Sequence, residues 1–148
     1  NSAKGVSATG GIKNQSIWLA GSFFHNKTGQ GGTELTKEYV GVYTAYRINR
    51  LAFLGEWDYT STETPSKTNG YAAFAEVSFL VQKGIAAKIK YDAYDPNQDS
   101  SGDRLLRYTL GVDLYPAPHT EVFIQYRNNR EEVDRRNDQI LVMTHLYF

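Results

Sequence analysis

Residues 70–82 read GYAAFAEVSFLVQ, and they alternate with a period of two. Tyr71, Ala73, Ala75, Val77, Phe79 and Val81 fall on one side. Ala72, Phe74, Glu76, Ser78, Leu80 and Gln82 fall on the other. A helix would repeat its apolar residues every three or four positions. Strict alternation is the signature of a strand with two different faces.

The same reading extends outward. In GIAAKIKYDAY (84–94), Ile85, Ala87, Ile89, Tyr91 and Ala93 oppose Ala86, Lys88, Lys90, Asp92 and Tyr94. In LLRYTLGVDLY (105–115), Leu106, Tyr108, Leu110, Val112 and Leu114 oppose Arg107, Thr109, Gly111, Asp113 and Tyr115. EVFIQYR (121–127) sets Val122, Ile124 and Tyr126 against Glu121, Phe123, Gln125 and Arg127. LAFLGEWDY (51–59) sets Leu51, Phe53, Trp57 and Tyr59 against Ala52, Leu54, Glu56 and Asp58. SIWLAGSFF (16–24) and KEYVGVYTAYRI (37–48) are strand-like too, but their faces are less distinct and no polar side is assigned. AKGVSATGGIK (3–13), mostly small residues, reads as one further strand or a tail within residues 1–14.

The connections alternate in length. Asn14–Gln15, 48–50, 82–84 and 116–119 are short. Residues 25–36, 61–70, 95–103 and 128–138 are long and rich in Gly, Asn, Asp and Ser. No segment reads as an amphipathic helix, and no linker divides the chain. Residues 1–148 therefore form a single β-barrel domain or barrel segment, an all-β, antiparallel up-and-down architecture.

Composition narrows the classes. Lys plus Arg is 16 and Asp plus Glu is 16, so the net charge is zero and no basic excess marks a general nucleic-acid binder. Cys is absent, which removes disulfides, thiolate metal sites and thiol nucleophiles. Tyr (11), Phe (7) and Gly (13) are frequent and Pro (4) is scarce, a composition suited to extended chain. No stretch approaches the ~20 continuous apolar residues of a membrane helix. That leaves a membrane open, because a spanning strand needs only about 9–11 residues, alternately apolar. NSAKGVSATGG lacks the charged start and apolar run of a secretory leader, so the chain is read as cytosolic, already processed, or cut from something longer.

Alternation alone cannot say which face of a barrel is inside. A lipocalin-like barrel keeps apolar residues inward, whereas a membrane barrel turns them to lipid. Two features favour the membrane. Short and long connections alternate, which collects the long loops at one end. The uniform face carries aliphatics with many aromatics, as a lipid band with aromatic girdles would.

The last strand adds a third. In ILVMTHLYF (140–148), Ile140, Val142, Thr144, Leu146 and Phe148 share a face and close on the aromatic. This resembles bacterial outer-membrane β-barrel proteins of the porin type, whose final strand ends on Phe after alternating apolar residues. The resemblance implies that Leu146 and Phe148 belong to a signal read by the barrel-assembly machinery. Thr144 departs from an all-apolar face. The resemblance further implies the bacterial outer membrane as location, with the lipid bilayer, lipopolysaccharide and an oligomeric or other outer-membrane partner as contacts.

Eight strands follow residue 16, and the N-terminal stretch makes nine. Bacterial single-chain barrels usually have an even number. Eight strands describe a complete barrel with a tail; nine describe the C-terminal portion of a larger porin.

The polar face carries Glu56, Asp58, Glu76, Lys88, Lys90, Asp92, Arg107, Asp113, Glu121 and Arg127. In a large barrel these are candidate pore-lining residues that set ion selectivity. In an eight-stranded barrel the lumen is just wide enough for side chains, and the plainer reading is a paired charge ladder that fills it. His25, His119 and His145 suggest enzymology only if they share a site. Their positions, a long-loop start, a short turn and the last strand, link them to no nucleophile. No catalytic residue, metal ligand or cofactor is expected. In DPNQDSSGD, Asp95, Asn97 and Asp99 have the 1-3-5 spacing of a calcium loop. Gly102 stands at position 8 instead of 6 and Leu106 replaces the Glu of position 12, so the segment reads as a hairpin loop. The function these observations favour is a passive porin-like channel or part of one. A closed eight-stranded barrel with a structural, adhesive or partner-sheathing role and a soluble ligand-binding barrel are the alternatives.

Overall fold

The computed structural model describes residues 5–29, 34–131 and 137–147. Phe148 lies outside them, so the terminal-aromatic expectation has no structural account here.

Nine antiparallel strands form one sheet in chain order. They are β1 (Val6–Lys13), β2 (Ile17–Thr28), β3 (Leu35–Ile48), β4 (Leu51–Thr64), β5 (Ser66–Gln82), β6 (Ile85–Asp95), β7 (Leu105–Ala117), β8 (Thr120–Glu131) and β9 (Gln139–Leu146). Each pairs with its sequence neighbour. Among the described residues, β1 and β9 do not pair with each other, so each has one partner strand. Of the two expected counts the structure has nine.

The short turns share a device. Asn49 (φ 51), Gly84 (φ 82) and His119 (φ 61) each supply one left-handed residue to a two-residue turn. The β1–β2 turn uses a side chain instead: Asn14 Oδ1 accepts from Ser16 N and Ile17 N, both at 2.8 Å. Each short turn is also stitched to the next hairpin. Arg47 N donates to Ser16 O, Leu80 N to Arg50 O, Tyr115 N to Gly84 O and Tyr147 N to His119 O, at 2.8–2.9 Å. These bonds carry the sheet sideways past the end of each hairpin. Pro116, which has no N–H, sits where the β7–β8 register shifts between Leu114 and Ala117.

The opposite end corrects the sequence reading. The expected 61–70 loop is a ribbon: β4 and β5 stay paired as far as Thr64↔Ser66, with Pro65 at the tip. Likewise β2 and β3 pair to Thr28↔Leu35, and β8 runs to Glu131. Thr, Ser, Asn and Lys in these stretches lack the apolar face that marks a strand in sequence. They continue the ladder instead, since Thr suits strands and no breaker intervenes before Pro65 or Gly29. His25, expected at a loop start, is consequently inside β2.

Register sorts the side chains. One outer row runs Ile17–Tyr46–Phe53–Val77–Ile89–Leu110–Tyr126–Ile140 across eight strands without a charge. Aromatic pairs flank it: Tyr59 opposite Tyr71, and Tyr91 opposite Tyr108 with rings 5.2 Å apart. From Tyr71 to Phe79 on β5 is about 26 Å along the strand at ~3.3 Å per residue, or about 19–22 Å across a membrane at a 35–45° tilt. That approaches the ~25 Å apolar band of membrane barrels.

Candidate functional site: the charged face of the sheet

All ten sequence-selected charges occupy the face opposite that apolar row. One line runs Tyr43–Glu56–Phe74–Asp92–Arg107–Asn129, and the next runs Ala45–Leu54–Glu76–Lys90–Thr109–Arg127–Gln139. The two faces differ in exposure. On the apolar side Ile89 is 63% exposed and Val142 62%. On the charged side the Glu76, Lys88 and Asp113 side chains keep only 15%, 17% and 7%. Charge therefore lies on the more enclosed surface and hydrocarbon on the open one, which is the inverse of a water-soluble fold.

The structure brings some of these residues together. Lys88 Nζ lies 2.6 Å from Asp113 Oδ2 and 4.0 Å from Glu76 Oε1, and Ser78 Oγ donates to that Glu76 oxygen at 3.1 Å. Gly111 makes room, because a Cβ there would stand 3.2 Å from Lys88 Cγ. Asp113 Oδ1, buried, has no hydrogen-bond partner among the described residues. Lys90 Nζ pairs with Asp92 Oδ1 at 2.7 Å and sits 4.6 Å from the centre of the Phe74 ring. Glu56 and Asp58, two apart on β4, form a mutual side-chain contact with Lys90 nearby. Asp58 also fills the space over Gly41, where any Cβ would collide with its carboxylate.

Others remain apart. Arg107 stands directly opposite Asp92 but turns away, donating Nε to Asn129 Oδ1 at 2.7 Å. Arg127 donates Nε and Nη2 to Gln125 Oε1, its neighbour two residues back. Glu121 belongs to the short-turn rim, where it meets Tyr115, Tyr147 and His145.

Sequence reasoning missed Lys13, Arg47 and Asn129. Lys13 lies over the Trp18 ring at 5.0 Å, and Arg47 shares a row with Lys88. Arg47 was findable: counting back from Glu56 through the two-residue turn fixes the parity of β3. Lys13 needed the β1–β2 register, which small residues do not announce.

The three histidines are separate. His25 Nδ1 is 3.1 Å from Glu38 on the apolar side of the sheet near the long loops. His119 is in the β7–β8 turn, and His145 packs edge-on to Phe123. In the 95–104 segment, Asp95 Oδ1 accepts from Asn97 N and Asn97 Oδ1 from Asp99 N, so these side chains hold their own turn. Among the described residues no group of three or more metal-ligating side chains forms.

The architecture is that of a porin-like β-barrel: antiparallel up-and-down strands, a charged inner face and an apolar outer one. No family model matches the chain, and no curated protein matches it in sequence. Among solved structures it is similar to an anion-selective porin from Comamonas acidovorans, with a TM-score of 0.78 over 97% of this chain at 13% identity. The match covers 49% of that porin, so the chain spans about half the length of its structural neighbour.

Proposed function

We propose that this chain forms one wall of a porin-type channel in a bacterial outer membrane, through which small hydrophilic solutes diffuse passively. One observation carries the reading. A continuous uncharged row faces outward across eight strands, while ionised residues line the enclosed side. Backbone edges cannot stay unpaired in lipid. The edges of β1 and β9 need partner strands in a bilayer, so this sheet acts as one wall of a larger barrel. In such a barrel the charged face borders water, with Lys88, Glu76 and Asp113 packed into the wall beneath it. The role is a conduit and not an enzyme. The bilayer and lipopolysaccharide contact its outer face, and Leu146 with Phe148 guides assembly through the barrel-assembly machinery.

The solute sign follows from balance. The structural neighbour is anion-selective by name. This wall mixes both signs, so its own preference is set by charges that lack an ion-pair partner. Planar-bilayer recording with the full-length protein is the test. Stepwise conductance in KCl is expected, and correctly folded protein that conducts nothing overturns the proposal.

A further inference from the structure

A cleft of ≈ 200 Å³ opens on the charged face between the ends of β6, β7 and β8 and residues Asn137 and Gln139. Tyr94 and Leu105 supply apolar wall, Arg107, Asn129 and Asn137 supply polar wall, and two carboxylates that have partners of their own, Asp92 with Lys90 and Glu131 with Asn137, complete it. The volume is below the ~300–1,000 Å³ of drug-sized sites, so its occupant is small.

Its polar groups are held in place. Arg107 Nε is used by Asn129 Oδ1 at 2.7 Å. Asn129 Nδ2 donates to Asn137 O at 2.7 Å, and Asn137 Nδ2 donates to Glu131 Oε1 at 2.7 Å. Asp138 secures the stem, accepting from Tyr126 Oη at 2.7 Å and Asn128 Nδ2 at 3.0 Å. Two valences are left over. The terminal nitrogens of Arg107 have no hydrogen-bond acceptor among the described residues, since the carboxylate opposite, Asp92, is taken by Lys90. Asn137 Oδ1 is buried and has no hydrogen-bond donor among the described residues. A guanidinium fixed through Nε offers its outer edge to a planar two-oxygen anion. A buried, unused acceptor is costly until a donor reaches it.

We propose that this cleft is a solute subsite for small carboxylates with an apolar body and a hydroxyl or amine donor. The carboxylate meets Arg107, the body lies against Tyr94 and Leu105, and the donor satisfies Asn137. The proposal rests on the channel reading for its role in transport, and on the cleft alone for binding.

The test uses 4-hydroxybenzoate on the full-length protein, with two readouts. One is saturation-transfer NMR in detergent micelles, which does not require conduction. The other is reduction of KCl conductance in planar bilayers. The probe is expected to bind and to lower conductance, while 4-hydroxybenzyl alcohol and inorganic phosphate bind at least roughly tenfold more weakly, since neither presents a planar carboxylate to the guanidinium edge. Arg107→Gln should weaken binding by a similar factor, and Arg107→Lys should not restore it. Asn129→Ala, which releases the guanidinium, should weaken it severalfold. Arg47→Gln, a lumen-face cation outside the cleft, should leave it unchanged. Conductance without binding overturns the subsite and keeps the channel. Binding without conductance keeps the subsite and overturns the channel. Equal binding of phosphate, or equal losses in the Arg47 and Arg107 variants, overturns the assignment. Heat-dependent gel mobility checks folding of each variant, and Asn129→Ala carries the test if Arg107→Gln does not fold.

Discussion

Tyr147 donates its phenolic proton to Glu121 Oε2 at 2.6 Å, while Tyr115 donates to the other oxygen at 3.0 Å. One carboxylate thereby joins the ends of β7, β8 and β9 at the short-turn rim. His145 Nδ1, 3.4 Å from the same Oε2, and the Phe123 ring complete the cluster. Tyr147 is the last described residue, so the clamp holds the end of the described chain.

The clamp has a defined pH range. The bond to Glu121 holds the Tyr147 phenol above its ordinary value of 10, with partial desolvation and the nearby negative charge adding to the effect. A raised folded pKa contributes stability that is complete below the unfolded value and is lost as pH rises through the folded one. Unfolding by urea in micelles should therefore show no loss from this source up to about pH 10 and a decline above it. Tyr147→Phe should remove that alkaline decline and lower the urea midpoint at pH 8. A double-mutant cycle with Glu121→Gln should give non-additive losses. Additive losses would show that the two side chains act independently.

How much of this was legible beforehand depends on the strand. In the middle of β5 to β8 the two faces differ so sharply that parity alone put Glu76, Lys88, Lys90, Asp92, Arg107, Asp113, Glu121 and Arg127 on one side. β2 and β3 resisted, because Trp18, Phe24, Tyr39 and Tyr43 put aromatics on the charged side as well. Strand ends were misjudged where Thr and Ser continue the ladder above the apolar band. The clamp was invisible for another reason. Glu121 and Tyr147 are 26 residues apart, and only the β8–β9 register brings them together. The cleft depends on which way Arg107 turns, which no period encodes.

The buried ion pair gives a second prediction. Lys88→Met leaves Asp113, whose side chain is 7% exposed, without its counter-charge. Breaking a buried pair by removing one partner costs about 3–5 kcal/mol, and lumen water should bring this case to the low end. Lys88→Met with Asp113→Leu should recover part of the loss, because the more buried carboxylate is gone while Glu76 keeps the Ser78 hydroxyl as a donor. Urea unfolding in micelles reads both. A double variant no more stable than the single one would show that the triad is not an electrostatic unit.

Backbone handedness gives a third. Gly84 has φ +82, and a Cβ there would stand 3.2 Å from Tyr115 O. Gly84→Ala should destabilise by about 1–3 kcal/mol, the range for a non-glycine residue forced into such a conformation. Asn49→Gly, at a position already left-handed, should change stability by less than about 0.5 kcal/mol. Similar unfolding midpoints for the two variants would refute the role given to these turns.

Orientation toward lipid gives a fourth. Ile89 is 63% exposed in the middle of the uncharged row. Ile89→Lys should cost about 2–4 kcal/mol in a bilayer, the penalty for a cation near the midplane of a barrel's outer face. Gln125→Lys, on the charged face, should cost far less. Refolding into vesicles with a urea titration separates them. Equal costs would mean that the two faces meet the same solvent, and the membrane reading would fail.

Selectivity gives the fifth. Glu56 and Asp58 stand together on the charged face, and neither forms an ion pair within 4 Å among the described residues. Replacing them by Gln and Asn removes two negative charges with little change in shape. Anions should then permeate more easily relative to cations. A charge close to the ion's path in water is worth up to about 1 kcal/mol, and screening reduces it, so the permeability ratio should move roughly two- to fivefold. Reversal potentials across a KCl gradient measure the ratio. The shift should shrink at high salt, where the Debye length falls to about 3 Å at 1 M. If the ratio stays fixed at low salt, these carboxylates do not face the conducting path, and the assignment of the charged side as the lumen is wrong at β4.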